Sequence, residues 1–513
     1  MTNKDLCQNV FEFLKQVGTE HIIVCAGARN APLVIHLETE KFHTIHYFEE
    51  RSASFFALGL IKKTGKPVAV MTTSGTAVAE LLPATVEAFY QGLPLILVTA
   101  DRPKAYRNSG APQSINHVGM FSHYVEQTFD WDGQPPATEH TTRLQKPIHL
   151  NVCFDEPLID DSSLKPNLKV SVLHSHANPI APKSVLSTLK KPLVIVSELA
   201  PLQKNEVIEF LKKLKAPVYL EALSQLRGHS DLNSYRIDVS DVVVKKLIET
   251  NVCDSVIRIG GIPTLRFWRD LEFKFKDVPV INFTNLPFSG LSRLSQTYQL
   301  QLENVMVPPI LESNLKTLPS LENLKAELFE KFPLSEPAMV FELSKKVEKD
   351  PLYLGNSLPI REWDLFARAC GGEQLISANR GANGIDGQIS TYLGWALPQL
   401  QPTWCFIGDL TALYDLAALG MVSGSGKKNM VIMNNFGGQI FNRVFNNDRF
   451  INSHRVEFEM LAKMWGWNYL KITTVPDFDR LSLLESFSII EIQPDSEQTK
   501  HFWSAWDAAC NKI

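Results

Sequence analysis

Short apolar runs alternate with amphipathic stretches along the first third of the chain. Strands are predicted at 21–25, 44–48, 67–72, 93–99 and 147–154. Helical patterns fill the intervals, among them 51–61 and 77–90, whereas the polar, proline-containing stretch at 132–146 is predicted to be a loop. Strands that alternate with helices are typical of a parallel α/β sheet.

The same alternation returns twice further along the chain. A second set of strands is predicted at 193–197, 218–220, 255–259 and 278–283, and a third at 375–378, 404–407, 430–433 and 487–492. The mixed sequence between 299 and 337 is expected to connect these two parts. We therefore predict an α/β fold of three consecutive parallel-sheet domains, at residues 1–175, 176–335 and 336–513.

One strand–helix–strand stretch, residues 404–441, places polar groups where both of its strands end. Its first apolar run ends at Gly408-Asp409, a helical pattern with Leu413, Leu416, Ala417 and Leu419 on one face follows, and the second run ends at Asn434-Asn435. Ligands of parallel sheets bind at the carboxyl ends of the strands. Carboxylate, amide and loop carbonyl oxygens suit Mg²⁺, so the stretch predicts a Mg²⁺-diphosphate site. An ordinary βαβ unit whose strands end in Asp and Asn is the alternative.

Composition and charge exclude several classes of protein. The formal net charge is −4, with 44% hydrophobic and 21% charged residues, so no nucleic-acid or polybasic membrane surface is indicated. No apolar run reaches the roughly 18 residues needed to span a bilayer. The seven Cys residues are scattered, and the amphipathic N-terminal stretch with Asp5 and Lys15 does not resemble a signal peptide. A cytoplasmic location is expected.

Two adjacent carboxylates, Glu49 and Glu50, lie where a predicted strand runs into a helix. Either one could simply cap the helix, because its first N–H groups attract a carboxylate. The Gly turn at 73–76, with Ser74 and Gly75, could likewise bind an anion or only cap the helix that follows.

Four arginines lie in loops beside predicted strand ends. They are Arg29, Arg102, Arg361 and Arg380. Arginine captures carboxylates through two parallel hydrogen bonds, so four of them in a chain of net negative charge suggest a substrate with several carboxylates.

Six motifs together resemble one family. They are AGARNAPL at 26–33, ERSA at 50–53, TSGTA at 73–77, DRP at 101–103, NRGANGIDG at 379–387 and NNFGGQIF at 434–441. These are similar to the MenD family, the thiamine-diphosphate-dependent 2-succinyl-5-enolpyruvyl-6-hydroxy-3-cyclohexene-1-carboxylate synthases of menaquinone biosynthesis. The resemblance covers the first and third predicted domains in order and only weakly the middle one.

The resemblance implies a fold and a reaction. The three domains would be a pyrimidine-binding domain, a Rossmann-like middle domain and a diphosphate-binding domain. The reaction would be decarboxylation of 2-oxoglutarate and 1,4-addition of the resulting succinyl carbanion equivalent to isochorismate. Both substrates are dicarboxylates, as the arginines suggest. Active sites would lie at the subunit interface of a homodimer or homotetramer, with Glu50 and Asp409 from different chains.

The resemblance also implies roles for individual residues. Glu50 would activate thiamine diphosphate, and Ile385 would hold the cofactor bent. Mg²⁺, or Mn²⁺, would be bound by Asp409, Asn435 and the carbonyl of Gly437. Further contacts to the cofactor are implied for Ser74, Gly75, Gly408, Leu410, Gly437, Gly438, Gln439, Ile440 and Phe441. Contacts to the substrates are implied for Arg29, Arg102, Gln113, Arg266, Ser357, Arg361 and Arg380, and Ile440 and Phe441 would line the same pocket.

Several positions depart from the family pattern. They are Ala28, Glu49, Pro112, Leu410 and Phe436. None of them removes a group needed for cofactor activation, although Ala28 lacks a hydroxyl that the family usually has.

Two other classes of protein stay open. One is a different thiamine-diphosphate enzyme, such as an acetolactate-synthase-like protein or a 2-oxoacid decarboxylase. The other is a catalytically silent protein that binds a nucleotide in its middle domain. Against the latter, Gly260-Gly261 is followed by Ile262-Pro263, so the dinucleotide-binding glycine pattern is missing there.

Overall fold

The computed structural model describes nine stretches of the chain. They are residues 2–133, 139–160, 168–173, 178–238, 240–308, 320–369, 374–421, 426–445 and 447–512. Three main sheets are formed, and their strand pairings are all parallel. The predicted α/β fold with parallel sheets is confirmed.

The first sheet has six strands in the order β2-β1-β3-β4-β7-β5. The strands of this part are β1 His21–Cys25, β2 His43–Tyr47, β3 Val68–Thr72, β4 Leu95–Asp101, β5 Gln127–Asp132, β6 Glu139–Thr142, β7 Ile148–Cys153 and β8 Lys169–Val172. The helices are α1 Asn3–Gln16, α2 Ala31–Leu37, α3 Glu50–Thr64, α4 Thr76–Ala79 and α5 Leu82–Gln91. Strands β3, β4 and β7 are buried along their whole length. β3 and most of β4 are therefore apolar in sequence, whereas β7 carries the buried polar residues His149 and Asn151.

The second sheet has five strands in the order β10-β9-β11-β12-β13. Its strands are β9 Pro192–Val196, β10 Val218–Leu220, β11 Ser255–Ile259, β12 Val280–Phe283 and β13 Gln296–Tyr298. The accompanying helices are α6 Lys204–Leu214, α7 Asp241–Glu249 and α8 Phe267–Asp270. This sheet is built only from the middle part of the chain.

The third sheet has six strands in the order β15-β14-β16-β17-β19-β18. Its strands are β14 Leu352–Leu354, β15 Ile376–Ser377, β16 Thr403–Gly408, β17 Lys428–Met433, β18 Asn468–Ile472 and β19 Ser488–Ile492. The helices of this part are α9 Glu322–Lys331, α10 Glu336–Lys346, α11 Leu358–Phe366, α12 Gln388–Ala396, α13 Asp409–Leu413, α14 Ile440–Phe445, α15 Phe458–Trp465 and α16 Ser496–Cys510.

The chain forms two compact units, which are described separately. The first consists of Met1–Ser175, Asn379–Leu400 and Ala412–Ser425, and the second of His176–Ala378, Gln401–Thr411 and Gly426–Ile513. The first unit therefore contains the first sheet and α12, whereas the second contains the other two main sheets. The domain boundaries at 175/176 and 335/336 stay a prediction.

Helices α3 and α12 approach each other closely within the first unit. A Cβ on Gly59 of α3 would overlap the carbonyl oxygen of Thr391, and one on Gly394 of α12 would overlap the carbonyl oxygen of Phe56. Because neither glycine has a side chain, the two backbones come into contact. This contact fixes the loop before α12 beside the first sheet.

Two sequence predictions about local structure were wrong. The stretch 77–90 is two helices, because Pro83 starts a new one at α5. The predicted loop at 132–146 contains the short polar strand β6, which pairs with β8, while 134–138 lie outside the described residues. The stretch 299–337, whose role as a connection stays a prediction, contains α9.

The prediction of a helix after Asp409 was also wrong. It is the short α13 followed by a 3-10 helix at Leu416–Met421. Between them, the buried Asp415 carboxylate accepts hydrogen bonds from Ser390 N at 2.7 Å and Ser52 Oγ at 3.0 Å. These tertiary contacts fix the chain at Asp415 and interrupt the regular helix.

No helix within the described ranges is long and apolar enough to cross a membrane.

Candidate active site

The first unit gathers five predicted site residues along one edge of its sheet. Neighbouring strands β2, β1, β3 and β4 are followed in the chain by Glu50, Arg29, the pair Ser74-Gly75, and Arg102. Because the strands are parallel, their carboxyl ends meet at the same edge. The placement of these residues agrees with the sequence prediction, although their contacts to ligands stay predictions.

The structure separates the roles of the two adjacent glutamates. Glu49 is the N-cap of α3, and its carboxylate accepts hydrogen bonds from Arg51 N at 3.2 Å and Ser52 N at 2.9 Å. Glu50 does not take part in that cap. Its Oε1 accepts a hydrogen bond of 3.4 Å from the hydroxyl of Thr72 at the end of β3. Burial raises the pKa of Glu50, so this carboxyl can exchange a proton more readily near neutral pH than an ordinary glutamate.

Arg29 and Arg102 are held by backbone carbonyls. The Nη1 of Arg29 donates to the carbonyl of Phe154 at 3.1 Å and lies 3.4 Å from Glu156 Oε1. The Nε of Arg102 donates to the carbonyl of Pro112 at 3.2 Å. Both guanidinium groups therefore have fixed positions at the sheet edge while retaining further N–H donors.

Gln113 lies directly beside Gly75. Gly75 has a φ of 87°, and a Cβ added there would be 3.2 Å from the Cβ of Gln113. Gln113 itself has a φ of 57° and is exposed. The positive φ favours glycine at position 75, and a side chain there would crowd Gln113.

A buried polar network that no sequence motif indicated lies beneath this turn. The Nε2 of His117 accepts a hydrogen bond of 3.3 Å from Gly75 N, and its Nδ1 lies 3.0 Å from Asn151 Oδ1. Burial lowers the pKa of His117, which keeps Nε2 unprotonated as this contact requires. Asn151 also donates to Asp101 and Asp130. The Ser74-Gly75 turn is thus held in place by this buried network.

An ion pair supports the same network. Arg107 donates to both carboxylate oxygens of Asp130, at 2.9 and 2.7 Å. Burial alone would raise the pKa of Asp130, but the hydrogen bonds from Arg107 and Asn151 lower this pKa to about 2. Asp130 therefore stays ionised at neutral pH and keeps these donors in place.

Two more predicted residues, Arg380 and Ile385, belong to the first unit although they are distant in sequence. They lie in the loop that precedes α12, and Gly387 of this loop is packed so tightly on the ring of Phe55 in α3 that a side chain would overlap it. The packing of α12 on α3 thus brings this loop beside the helix that Glu50 starts.

The second unit brings together the predicted metal ligands. Asp409 follows β16, and its Oδ2 accepts a hydrogen bond of 2.8 Å from Gly437 N in the loop after β17. Asp409 is only 2% exposed. The Oδ1 of Asn435 accepts from Gly438 N at 3.2 Å. Asp409, Asn435 and Gly437 therefore lie at adjacent strand ends, as the strand–helix–strand pattern predicts.

Glu336 and His454 support these ligands and were missed by sequence reasoning. Both carboxylate oxygens of Glu336 lie 3.2 Å from Asn435 Nδ2, which orients the amide oxygen of Asn435 toward the loop. The Nε2 of His454 lies 3.2 Å from Asp409 Oδ2. Both residues are far from the motif in sequence, so no local pattern could have indicated them.

The donors of this loop fit a hard divalent cation. A carboxylate, an amide oxygen and a carbonyl are what Mg²⁺ prefers, and it keeps water and phosphate oxygens as its other ligands. Among the residues that the structure describes, no three His, Cys, Asp or Glu side chains form a metal site. Of the three predicted ligands, Asp409 alone is one of these residue types, because Asn435 would contribute an amide oxygen and Gly437 a backbone carbonyl.

The remaining loop residues are placed next to these ligands. Leu410 packs on Gly438, since a Cβ there would be 2.7 Å from Leu410 Cδ1. The Nε2 of Gln439 donates to the carbonyl of Asn435 at 3.3 Å. Ile440 and Phe441 start α14, and Phe441 is 46% exposed. Leu410, one of the positions that depart from the family pattern, thus packs on the loop after β17.

Ser357, Arg361 and Arg266 also lie in the second unit. Ser357 follows β14, which is next to β16, and the Nη1 of Arg361 donates to its carbonyl at 2.6 Å. Arg266 lies at the start of α8 beside the second sheet and is exposed. Ser357 and Arg361 therefore follow a strand that is next to the strand before Asp409.

Comparisons with known proteins agree with the fold. Residues 4–120 match the family model for the thiamine pyrophosphate enzyme, N-terminal TPP binding domain. The fold is similar to that of benzoylformate decarboxylase from Polynucleobacter necessarius, with a TM-score of 0.73, 15% identity, and coverage of 96% of this chain and 99% of the other. The family-model match, on a chain with this fold, indicates a thiamine-diphosphate-dependent enzyme.

Two relatives that match nearly the whole chain identify the family within this class of enzymes. The 2-succinyl-5-enolpyruvyl-6-hydroxy-3-cyclohexene-1-carboxylate synthase of Bdellovibrio bacteriovorus is 46% identical over 99% of both chains. The enzyme of the same name from Akkermansia muciniphila is 36% identical over 93% of this chain and 94% of its own. This chain belongs to the family of 2-succinyl-5-enolpyruvyl-6-hydroxy-3-cyclohexene-1-carboxylate synthases, which confirms the resemblance in its motifs.

Proposed function

We propose that this protein decarboxylates 2-oxoglutarate and adds the resulting succinyl unit to isochorismate by 1,4-addition, as a step of menaquinone biosynthesis. The observation that carries this proposal is the full-length similarity to synthases of that name. The arrangement of Glu50, Arg29 and Arg102 at one sheet edge supports it, because it combines a proton-exchanging carboxyl with two groups that bind carboxylates.

Thiamine diphosphate would supply the carbon that attacks the keto group and would take up the negative charge left by decarboxylation. Glu50 would hold and exchange a proton with the pyrimidine ring of the cofactor. The loop residues Asp409, Asn435 and Gly437 would hold the diphosphate through Mg²⁺ or Mn²⁺. Ile385, Ser74, Gly75, Gly408, Leu410, Gly438, Gln439, Ile440 and Phe441 would complete the cofactor site.

The substrates would be bound by groups with fixed positions. Arg29, Arg102, Arg361 and Arg380 would hold carboxylates, and Gln113, Ser357 and Arg266 would contribute further polar contacts. Fixed cations orient a dicarboxylate before reaction, so less freedom has to be lost at the chemical step.

The proposed reaction predicts one product from two substrates. With thiamine diphosphate and Mg²⁺ present, the protein is expected to consume 2-oxoglutarate only when isochorismate is added, and mass spectrometry should identify the succinylated cyclohexene carboxylate. A parallel reaction contains pyruvate and no isochorismate. Turnover of pyruvate in that reaction would instead favour an acetolactate-synthase-like enzyme or a 2-oxoacid decarboxylase.

A homodimer or homotetramer is proposed, with active sites at the subunit interface. The family resemblance implies that a carboxylate such as Glu50 and a metal ligand such as Asp409 would come from different chains. Dilution is therefore expected to lower activity and cofactor binding together as sedimentation shows the appearance of monomers. Full activity of a monomer established by sedimentation would contradict this proposal.

A further inference from the structure

A buried glutamate, Glu87 of α5, holds the loop that carries Arg380. Its Oε1 accepts a hydrogen bond of 2.8 Å from Gly381 N, and its Oε2 accepts one of 2.7 Å from Ala382 N. Two consecutive peptide groups are thus bound by the two oxygens of one carboxylate. This geometry fixes both the position and the orientation of the backbone directly after Arg380.

The close approach of the loop to α5 depends on glycine at position 381. A Cβ on Gly381 would lie 2.5 Å from the carbonyl oxygen of Glu87. Any side chain there would push the loop away from the carboxylate. Gly381 and Glu87 therefore form one contact, made between residues that are 294 positions apart in the chain.

Glu87 is itself held in place. It is 3% exposed, and its Oε1 also accepts a hydrogen bond from Gln91, one turn further along α5. The Oε1 of Gln91 lies 2.5 Å from Lys62 Nζ. Hydrogen bonds that involve a charged group are shorter and stronger than neutral ones, so the carboxylate is a rigid support for the loop.

The other side of Arg380 is fixed as well. The Nδ2 of Asn379 donates to Thr391 Oγ1 of α12 at 2.9 Å, and its Oδ1 accepts from Gln91 Nε2 at 3.4 Å. Arg380 thus lies between two anchored residues, Asn379 and Gly381. The direction in which its side chain leaves the backbone is determined by these contacts.

We propose that Glu87 is a positioning residue that acts through Arg380 and so sets the binding of a substrate carboxylate. This inference rests on the proposed function, in which Arg380 contacts a dicarboxylate. Bidentate capture of a carboxylate requires a guanidinium in the correct plane. A small displacement of the 379–382 backbone would tilt that plane and weaken substrate binding, while the cofactor contacts in the second unit are unaffected.

The test is a double-mutant cycle of Glu87→Gln and Arg380→Ala. KM for 2-oxoglutarate and for isochorismate, kcat, the Kd for thiamine diphosphate and the thermal unfolding temperature are measured for each variant. Arg380→Ala is expected to raise the KM of the substrate that Arg380 binds, and Glu87→Gln should raise the same KM by at least about 10-fold. The Kd for thiamine diphosphate should stay within about twofold of the wild-type value. In the Arg380→Ala background, adding Glu87→Gln should change that KM less than about twofold, because the residues act as one unit.

Glu20→Gln is the matched control, since Glu20 is a half-exposed glutamate of the same unit that pairs with Lys66. It should leave every KM unchanged. Hydrogen–deuterium exchange over 379–384 gives a readout that does not depend on activity, and exchange there should be faster in Glu87→Gln than in wild type.

Several outcomes would overturn the inference. Additive effects of the two substitutions, or an unchanged KM in Glu87→Gln, would contradict it while leaving the proposed function intact. A wild type that forms no product from both substrates would contradict the proposed function, and this inference with it. If Glu87→Gln does not fold, Glu87→Asp replaces it in the cycle, and failure of both to fold would show that Glu87 serves stability alone.

Discussion

Replacing Glu50 with glutamine is expected to lower kcat by at least about 10²-fold, the usual scale of a lost acid–base group. Glutamine has the same shape as glutamate but cannot exchange a proton with the pyrimidine ring. The structure supports this assignment, because Glu49 caps α3 whereas the Glu50 carboxylate accepts a hydrogen bond from the Thr72 hydroxyl instead. Burial raises the pKa of Glu50, as a group that both gives and takes a proton requires.

Proton exchange at the thiazolium C2 of bound thiamine diphosphate, followed by NMR, separates this role from substrate binding. Exchange should slow in Glu50→Gln by a factor similar to the loss of kcat. Glu49→Gln is the control, since a glutamine oxygen can still accept from the N–H groups of α3. Turnover of Glu50→Gln at the wild-type rate would show that the carboxyl does not activate the cofactor.

Replacing Asp409 with asparagine is expected to weaken Mg²⁺-dependent binding of thiamine diphosphate. Asp409 supplies the only charge among the three proposed ligands. Asparagine keeps an oxygen that can accept from Gly437 N, so the loop is preserved while the charge is lost. Removing groups that merely support a metal ligand costs roughly 10–100-fold in affinity, and loss of the charged ligand should cost at least as much.

Calorimetric titration of thiamine diphosphate at several Mg²⁺ concentrations measures this effect. Asp479→Asn is the control, because Asp479 is an exposed aspartate of the same unit paired with Lys346. It should bind the cofactor like wild type. If Asp409→Asn retained the wild-type dependence on Mg²⁺, Asp409 would not be a metal ligand.

Local patterns in the sequence predicted most strands of the three main sheets and placed Asp409 and Asn435 at the ends of neighbouring strands. The run from Val68 to Thr72 is apolar at almost every position, because a central parallel strand is covered on both faces. Asp409 and Asn435 could be paired because a single crossover connects their strands. Both inferences depend only on residues that are close together in the chain.

Contacts between segments that are distant in the chain could not be predicted from such local patterns. Sequence could not tell which of Glu49 and Glu50 caps α3, since the two occupy almost the same position at the strand–helix junction. It also gave no indication that His117 binds Gly75 N or that Glu87 binds the loop at 381–382. In each case a buried polar side chain meets a backbone N–H group from a remote segment.

The sequence by itself therefore determined the fold class, the family and the set of candidate site residues. Only the tertiary structure decided that Asn379–Leu400 belongs with the first sheet, and which side chains hold Gly75 and Arg380 in place. The physical reason is that hydrophobic periodicity specifies which face of an element is buried but not which partner covers it. That partner is selected by close packing, as at Gly59 and Gly394, and by the need of buried polar groups for hydrogen bonds.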